Sequence, residues 1–379
     1  MNIYTGQVFY PCGIRAEVEK IDWHAWLGRI RLPSTSPASL SALKETSILV
    51  TGAGGSIGSA LSLRLAAIGP RALTLLDSSE QALFDLGARL EAGEAACGVR
   101  MVLGSALDEA LLEELFAQRR PGIVFHAAAY KHLPLLEEQP LAAIRNNALG
   151  THTLVQVAGR FGARVVLLST DKAAAPASIL GASKRIAEQI VTAHGGLVLR
   201  LVNVLGSRGS VAETFLSRIA EGEPLVVSDP SAERYFVTQA EAVDLLLAAG
   251  AEAEAGSLLV PDLDRPHTIV SLARFLLSLA PSDAKPPLVF GRLRNGEKLR
   301  ETLWSHEETA HPGEIPGTLR ILGSSGVAPG WKMAELQAAV VRRDLAETLR
   351  LAMELVPSYA PSELLRAQLG CPQQESPRP

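Results

Sequence analysis

Cysteine is scarce in this sequence: only Cys12, Cys97 and Cys371 occur among 379 residues, and they are widely separated. This excludes a disulfide framework and a cysteine-based metal site, and no other metal cluster is predicted. Apolar runs that approach the roughly 20 residues of a membrane helix are also missing. The N-terminus has no apolar core behind a basic start, so no export signal is predicted. These absences predict a cytoplasmic protein with no membrane span in this chain.

Neither sign of charge dominates the sequence. The formal net charge is −4, from 36 Lys and Arg against 40 Asp and Glu. A broad nucleic-acid-binding surface needs a basic excess, so no nucleic-acid partner is predicted. With 47% hydrophobic and 20% charged residues, the composition is that of a soluble globular enzyme. The length suits one large domain or two closely joined ones.

A glycine-rich turn is the strongest local signal. The apolar run Ile48–Val50 predicts a buried strand, and Gly52, Gly55 and Gly58 follow it at three-residue spacing before a predicted helix. Such glycines let backbone N–H groups approach a pyrophosphate at the positive end of the helix. A second predicted strand ends in Asp77, where an acid would bind the adenosine ribose hydroxyls. The turn therefore predicts a dinucleotide site; its candidate residues are Thr51, Gly52, Gly55, Ser56, Ile57, Gly58 and Asp77.

From residue 46 to about 203, strand-like runs alternate with helix-like segments such as Leu107–Gln118 and Pro140–Phe161. The alternation predicts an α/β fold with a Rossmann-type, doubly wound parallel sheet. Ligands bind beyond the carboxyl ends of such strands. The predicted strands are Ile48–Val50, Leu73–Leu76, Met101–Leu103, Ile123–Phe125, Val165–Leu168 and Val198–Leu201.

Small or polar residues follow the fourth and fifth predicted strands. Three alanines after the fourth strand would let a flat cofactor lie against the backbone, although tight packing alone also explains them: Ala127, Ala128 and Ala129. Beyond them, Lys131 and His132 face either a ligand or solvent. The fifth strand is followed by Thr170, Asp171 and Lys172, an acid and a base side by side at a strand end.

The rest of the chain divides into three parts. Residues 1–45 are predicted to be an arm with a short amphipathic helix near 17–29 and a linker. Its Trp23 and Trp26 indicate an apolar surface that needs a partner, so a homo-oligomer is expected. Residues 204–330 are predicted to form a smaller substrate-binding region, with Arg208, Arg234 and Arg294 as candidate anion ligands. Residues 331–379 are predicted to be a helical segment with a frayed end from 370.

Several motifs taken together resemble one family. They are Thr-Gly-Ala-Gly-Gly-Ser-Ile-Gly, His-Ala-Ala-Ala-Tyr-Lys-His, Ser-Thr-Asp-Lys, Asn-Val-Leu-Gly-Ser-Arg-Gly-Ser, Arg-Tyr-Phe and Arg-Asn-Gly-Glu-Lys-Leu. The sequence resembles the extended short-chain dehydrogenase/reductases of polysaccharide biosynthesis, the UDP-N-acetylglucosamine 4,6-dehydratases. The resemblance extends from about Leu27 to Tyr359. It is greatest to the soluble catalytic half of the membrane-anchored members.

The resemblance implies NAD as cofactor, a UDP-sugar as substrate and a role for each matching residue. Its catalytic residues are Thr170, Asp171, Lys172 and the helix lysine Lys184, which also binds the nicotinamide ribose. In the implied reaction, Asp171 protonates the leaving C6 hydroxyl and a neutral Lys172 removes the C5 proton. Nearby positive charge from Lys184 and the cofactor is expected to favour that neutral form. The substrate-binding candidates are Lys131, His132, Asn203, Arg208, Ser210, Arg234, Arg294 and Glu297.

The sequence departs from the family pattern at four positions. Leu180 stands where short-chain dehydrogenases usually carry a catalytic tyrosine. The other departures are Ser78, Ser105 and Asn295. Two alternatives to a dehydratase therefore stay open: a UDP-sugar epimerase of the same superfamily, and a non-catalytic NAD-binding regulatory subunit.

Overall fold

A computed structural model of the chain describes residues 21–93, 95–281, 285–323 and 330–369. Its centre is a sheet of nine strands in the order β3-β2-β1-β4-β5-β6-β11-β15-β14. The first seven are parallel, and β15 and β14 add an antiparallel pair at one edge. The strands are β1 Ser47–Thr51, β2 Ala72–Asp77, β3 Val99–Leu103, β4 Ile123–His126, β5 Arg164–Thr170, β6 Leu197–Leu201, β11 Leu258–Pro261, β14 Thr309–Pro312 and β15 Thr318–Leu322.

The strand order reverses between β1 and β4, which lie side by side at the centre of the sheet. From β1 the chain moves outward to β2 and β3, then returns to β4 and continues the other way. The connections leave a crevice at the carboxyl ends of β1 and β4, the usual ligand position in such sheets. All six predicted strands and the predicted doubly wound fold are confirmed.

Helices cover both faces of the sheet. Many begin at a Ser, Thr or Asp whose side chain accepts a first-turn N–H, as Ser178 and Thr238 do. The helices are α1 Trp23–Leu27, α2 Pro37–Lys44, α3 Ser56–Ile68, α4 Glu80–Glu91, α5 Glu109–Arg119, α6 Leu133–Glu138, α7 Pro140–Ala143, α8 Gly150–Arg160, α9 Ile179–Ala193, α10 Val211–Glu221, α11 Gln239–Glu252, α12 Ile269–Leu279, α13 Gly330–Val341, α14 Leu345–Leu355 and α15 Glu363–Gln368. Among the described residues, no helix is long and apolar enough to cross a bilayer.

Three two-stranded pairs lie outside the main sheet and support the region above its carboxyl edge. The predicted helix 140–161 is present, but a π-helical turn, Ile144–Leu149, joins α7 to α8. A 3₁₀ turn, Asp171–Ala173, follows β5 directly. The short strands are β7 Asn203–Leu205 with β10 Phe236–Thr238, β8 Leu225–Val227 with β13 Leu288–Phe290, and β9 Glu233–Arg234 with β12 His267–Thr268.

The arm packs through its aromatic residues onto α10, α12 and the short strand pairs outside the main sheet. Trp23 and Leu27 are buried in a second apolar cluster, separate from the core of the main sheet. The Trp26 ring centroid lies 5.2 Å from that of Phe236 and 4.7 Å from that of His267. These tryptophans are therefore covered within the chain, and the reason given for an oligomer does not hold. The homo-oligomer itself stays a prediction, and residues 17–20 and 370–379 lie outside the described residues.

A buried ion network joins the sheet to α9 and to the turn before β14. Arg200, on β6, is 1% exposed and donates to both carboxylate oxygens of Glu188 and of Glu308 at 2.8–2.9 Å. Arg185 donates to Glu308 at 2.6 Å, and Ser169 donates to Glu188 at 2.6 Å. Burial alone would raise the pKa of Glu308, but bonding to Arg200 outweighs it and lowers that pKa to about 2. Every charge in the network is thus compensated.

Replacing Glu308 by Ala should lower the free energy of unfolding by about 3 kcal/mol or more, because it leaves Arg200 partly uncompensated in the interior. Urea denaturation measures the loss. Glu307→Ala is the matched control, since that neighbouring side chain is 69% exposed. Equal stability of the two variants would contradict the importance of the network.

Candidate functional site

A cavity of about 980 Å³ opens at the carboxyl edge of the main sheet. The short strands β7, β8, β9 and β10 contribute to its other wall. The cavity brings together residues from both halves of the chain that the sequence analysis singled out separately. The predicted residues that line it are Gly55, Ser56, Ile57, Gly58, Ala127, Ala129, Lys131, His132, Thr170, Lys172, Lys184, Asn203, Arg208, Ser210, Arg234, Arg294 and Glu297.

Five predicted residues lie just behind this lining. Thr51 is fully buried at the end of β1, and Gly52 and Ala128 are in backbone contact. The Asp77 carboxylate accepts the Gly54 N–H at 2.8 Å, so it lies at the glycine turn. Asp171 is 1% exposed and lies beneath Lys172. The structure thus places all the predicted residues at or directly beneath one site.

At two of its glycines the glycine turn leaves no room for a side chain. At Gly52, with φ of +69°, a Cβ would lie 2.5 Å from the Ala128 nitrogen. At Gly58, a Cβ would lie 2.0 Å from the Gly52 carbonyl oxygen. The contact brings the first turn of α3 against the end of β1, and no side chain caps that turn. Its N–H groups therefore face the cavity, which is the arrangement that binds phosphate at a helix N-terminus.

His126 fixes the end of β4 beneath the cavity. Its Nδ1 lies 2.6 Å from Thr51 Oγ1, and its Nε2 lies 2.9 Å from Thr151 Oγ1. Burial, together with the charge of Lys184, lowers the pKa of His126 to about 3. The ring is therefore neutral at physiological pH and joins β1, β4 and α8 by hydrogen bonds. In the sequence this histidine stands out only as the first residue of the His-Ala-Ala-Ala-Tyr-Lys-His motif.

Asp171 and Lys172 form a close pair on the 3₁₀ turn. Lys172 Nζ donates to Asp171 Oδ1 at 3.0 Å, and Thr170 Oγ1 donates to the same oxygen at 2.9 Å. Among the described residues, the buried Asp171 Oδ2 has no hydrogen-bond partner. Burial lowers the pKa of Lys172, but Asp171 and Glu301 outweigh burial and raise it above the usual value. Lys172 is therefore charged in the ligand-free protein, and the expectation of a neutral Lys172 beside Lys184 and the charge of the cofactor stays a prediction.

Lys184 has a different environment. It is 4% exposed, and its Nζ donates to the Leu168 carbonyl at 2.7 Å. Burial lowers the pKa of Lys184 to about 8, although Glu188 acts in the opposite direction. Leu180, one turn earlier on α9, also lines the cavity. It occupies the position at which short-chain dehydrogenases usually carry a tyrosine. This wall of the site is thus apolar except for one lysine.

The predicted anion ligands differ in how firmly they are held. Arg234 is 6% exposed, donates to the Leu299 carbonyl at 3.0 Å and lies 3.3 Å from Glu297. Arg294 is exposed at the cavity rim. The Arg208 N–H donates to Ser56 Oγ at 2.9 Å, which ties its loop to the glycine turn. Lys131 Nζ donates to the Arg208 carbonyl. The basic side chains therefore lie around one polar mouth.

Two residues of the site were missed from the sequence. Asn147, on the π-helical turn, binds both the N–H and the carbonyl of Tyr130, at 2.8 and 3.1 Å, and so fixes the cavity wall. Glu301 lines the cavity and is 5% exposed. A polar residue inside an otherwise helical run marks Asn147, but no local pattern marks Glu301.

The comparisons with known proteins agree with this geometry. Residues 48–322 match the family model described as "Polysaccharide biosynthesis protein". The chain belongs to this family. It is 35% identical to the capsular polysaccharide biosynthesis protein CapD of Staphylococcus aureus over 79% of this chain and 51% of that protein. It is 36% identical to the probable polysaccharide biosynthesis protein EpsC of Bacillus subtilis over 74% of this chain and 49% of that protein. The chain spans about half the length of these two curated relatives.

Two further proteins are similar to this chain, one in sequence and one in structure. A UDP-glucose 4-epimerase of Rickettsia rickettsii is 30% identical over 73% of this chain and 83% of that protein. Among solved structures, Pen from Bacillus thuringiensis superposes with a TM-score of 0.68 at 24% identity, covering 76% of this family member and 92% of that chain. The second similarity shows the fold, and the resemblance to polysaccharide biosynthesis proteins found in the sequence is confirmed.

The neutral His126 predicts a pH dependence of stability. The unfolded histidine takes up a proton below about pH 6.5 and the folded one only near pH 3, so acid favours the unfolded state between these values. We expect the stability advantage of wild type over His126→Gln, measured as the difference between their free energies of unfolding, to fall by about 1.4 kcal/mol per pH unit below pH 6. Urea denaturation from pH 7 to 4 measures it. Parallel curves for the two proteins would contradict a buried neutral ring.

Proposed function

We propose that this chain catalyses the 4,6-dehydration of a UDP-N-acetylhexosamine, with UDP-N-acetylglucosamine as the favoured substrate, for polysaccharide biosynthesis in the cytoplasm. The observation that carries the proposal is the Asp171–Lys172 pair, held 3.0 Å apart at the end of β5. Lys172 lines the cavity that the glycine turn also lines, and Asp171 is buried directly beneath it. An elimination needs an acid and a base close together, and this pair supplies both. The proposed products are a 4-keto-6-deoxy sugar nucleotide and water.

The residues at the glycine turn fit NAD as cofactor. Gly52 and Gly58 leave no room for a Cβ, so the backbone there can approach a pyrophosphate closely. Asp77 would bind the adenosine ribose, and Lys184 the nicotinamide ribose. Bound NAD would supply reversible hydride acceptance at the C4 carbon of the sugar. The three alanines 127–129 leave the wall beside it free of large side chains.

The acid–base work falls to the chain's own side chains. Asp171 Oδ1 already binds Lys172 Nζ, so a proton can pass directly from the ammonium to the carboxylate. This transfer gives a neutral amine, which can accept the C5 proton, and a carboxylic acid, which can protonate the leaving C6 hydroxyl. Asp171 Oδ2 has no hydrogen-bond partner among the described residues. Because Asp171 is buried beneath Lys172, the proposed protonation requires this carboxyl to become accessible to the C6 hydroxyl when the substrate binds. Thr170 would hold the C4 oxygen.

The basic mouth of the cavity supports a diphosphate-containing substrate. Arg234 is fixed by the Leu299 carbonyl and Glu297, so its guanidinium is preorganised for phosphate oxygens. Arg294, Lys131 and Arg208 lie around the same opening. The names of the CapD and EpsC relatives support a place in polysaccharide synthesis.

An epimerase is the second candidate, because a UDP-glucose 4-epimerase is among the relatives. Both reactions would begin at C4, but only the dehydratase loses water. Incubation of the purified chain with NAD and UDP-N-acetylglucosamine, followed by mass spectrometry, separates them. We expect a product lighter by one water. A product of unchanged mass would favour the epimerase, and cofactor binding without any turnover would favour a regulatory subunit.

Loss of either member of the pair should remove general acid–base catalysis. We expect Lys172→Ala and Asp171→Asn each to lower kcat by on the order of 10²-fold or more. Leu180→Ala is the control at the same cavity, and its effect should be much smaller because an apolar side chain only shapes the wall. NAD affinity, measured by fluorescence titration, should barely change in the three variants. Near-normal turnover by Lys172→Ala would remove the pair from the mechanism.

The cofactor site should prefer NAD over NADP. Asp77 would repel a 2′-phosphate, and Ser78 offers no guanidinium to compensate for it. The Asp77 carboxylate is held in place by the N–H groups of Gly54 and Ser79 at 2.8 and 2.9 Å. Calorimetric titration of the purified chain with both cofactors measures the preference. Tighter binding of NADP would contradict the assignment of Asp77.

A further inference from the structure

We propose that Glu301 is a positioning residue of this reaction, which holds the Lys172 ammonium between two buried carboxylates; the inference rests on the function proposed above. Glu301 Oε1 lies 3.8 Å from Lys172 Nζ, and Asp171 Oδ1 lies 3.0 Å from the same atom. The side chain of Glu301 is 1% exposed, and that of Lys172 is 19% exposed. Of the three side chains Asp171, Lys172 and Glu301, Lys172 alone is partly accessible to solvent.

The chain brings Glu301 to this position through the segment that also carries substrate-binding candidates. The Leu299 carbonyl accepts the Glu233 N–H at 2.9 Å and the Arg234 guanidinium at 3.0 Å. The backbone of Arg300 forms an isolated parallel β-bridge with that of Glu233. The segment 297–301 is thereby fixed to β9, with Glu297 facing Arg234 and Glu301 facing Lys172. A ligand that contacts Arg234 or Glu297 therefore contacts β9 or the segment 297–301, which together place Glu301 beside Lys172.

The charges around Lys172 come from three directions. Asp171 lies on its own turn, Glu301 and Lys298 lie on the segment 297–301, and Arg234 lies on β9. Lys298 Nζ lies 2.8 Å from Glu301 Oε2, so Glu301 is shared between two ammonium groups. Lys184 faces the same cavity from α9, where it binds the Leu168 carbonyl.

This arrangement gives Glu301 a specific effect on proton transfer. Burial lowers the pKa of Lys172, but the charges of Asp171 and Glu301 outweigh burial and raise it. Removing the charge of Glu301 should lower the pKa of Lys172, whereas removing Lys298 should raise it further. The two changes therefore have opposite signs, which a general loss of stability would not produce.

Competitive labelling of the full chain with trace acetic anhydride, read by peptide mass spectrometry from pH 7 to 11, measures the pH at which Lys172 becomes half reactive. We expect this pH to fall by about one unit or more in Glu301→Gln and to rise in Lys298→Met. Glu307→Gln, an exposed change on the same stretch, should leave it unchanged. An unshifted value in Glu301→Gln, or a shift of the same sign in Lys298→Met, would overturn the proposal. Should Glu301→Gln fail to fold, the sign in Lys298→Met decides.

The labelling is independent of turnover, so the two proposals fail separately. A wild type that makes no product but shows the expected shifts would contradict the dehydratase and keep the role of Glu301. A wild type that makes product without the shifts would contradict the role of Glu301 alone. Where product forms, the alkaline limb of the kcat/KM–pH profile, at which the pair loses its one shared proton, should move to lower pH in Glu301→Gln by the same amount as the labelling.

Discussion

The ion network of Arg200, Glu188 and Glu308 is the interaction on which the site depends. A buried guanidinium is costly to desolvate, and only close geometry with every donor satisfied offsets that cost. Here Arg200 makes four hydrogen bonds to two carboxylates at 2.8–2.9 Å. The network connects β6, α9 and the turn before β14. It therefore fixes both the helix that carries Lys184 and the chain that follows Glu301.

The opposite wall of the cavity depends on close backbone contact rather than on charge. Gly52 and Gly58 bring the first turn of α3 against β1, and a Cβ at either position would overlap backbone atoms. His126 joins β4 to Thr51 and Thr151 in the same layer. Because the ring is neutral, this layer adds no positive charge that would compete for a phosphate. One wall thus offers N–H groups, and the other offers an acid, a base and a lysine.

The features that could be predicted from the sequence are those that a few consecutive residues determine. The six strands, the glycine turn and the Asp171–Lys172 pair each occupy a few consecutive residues, so their spacing could be interpreted without the fold. Glu301 and Glu308 could not be found in this way, because their partners lie far away in the chain and no periodicity links them. The raised pKa of Lys172 in the ligand-free protein was not foreseen for the same reason: Lys184 and a cofactor were considered as neighbours, but Glu301 was not. The covering of Trp26 by Phe236 and His267 is likewise a long-range contact.

The two lysines of the cavity show how the network reaches the chemistry. Lys172 has two carboxylates beside it, and its pKa is raised. Among the described residues, Lys184 has the Leu168 carbonyl as its one hydrogen-bond partner, and burial lowers its pKa to about 8. Glu188 lies one turn after Lys184 on α9 and would be its natural counter-ion. Both oxygens of Glu188 are already bound by Arg200, and one also accepts from Ser169. Burial lowers the pKa of Lys184, and Glu188, which Arg200 also binds, offsets this only in part. The cavity therefore has one lysine whose charge is easily lost beside one whose charge is firmly held.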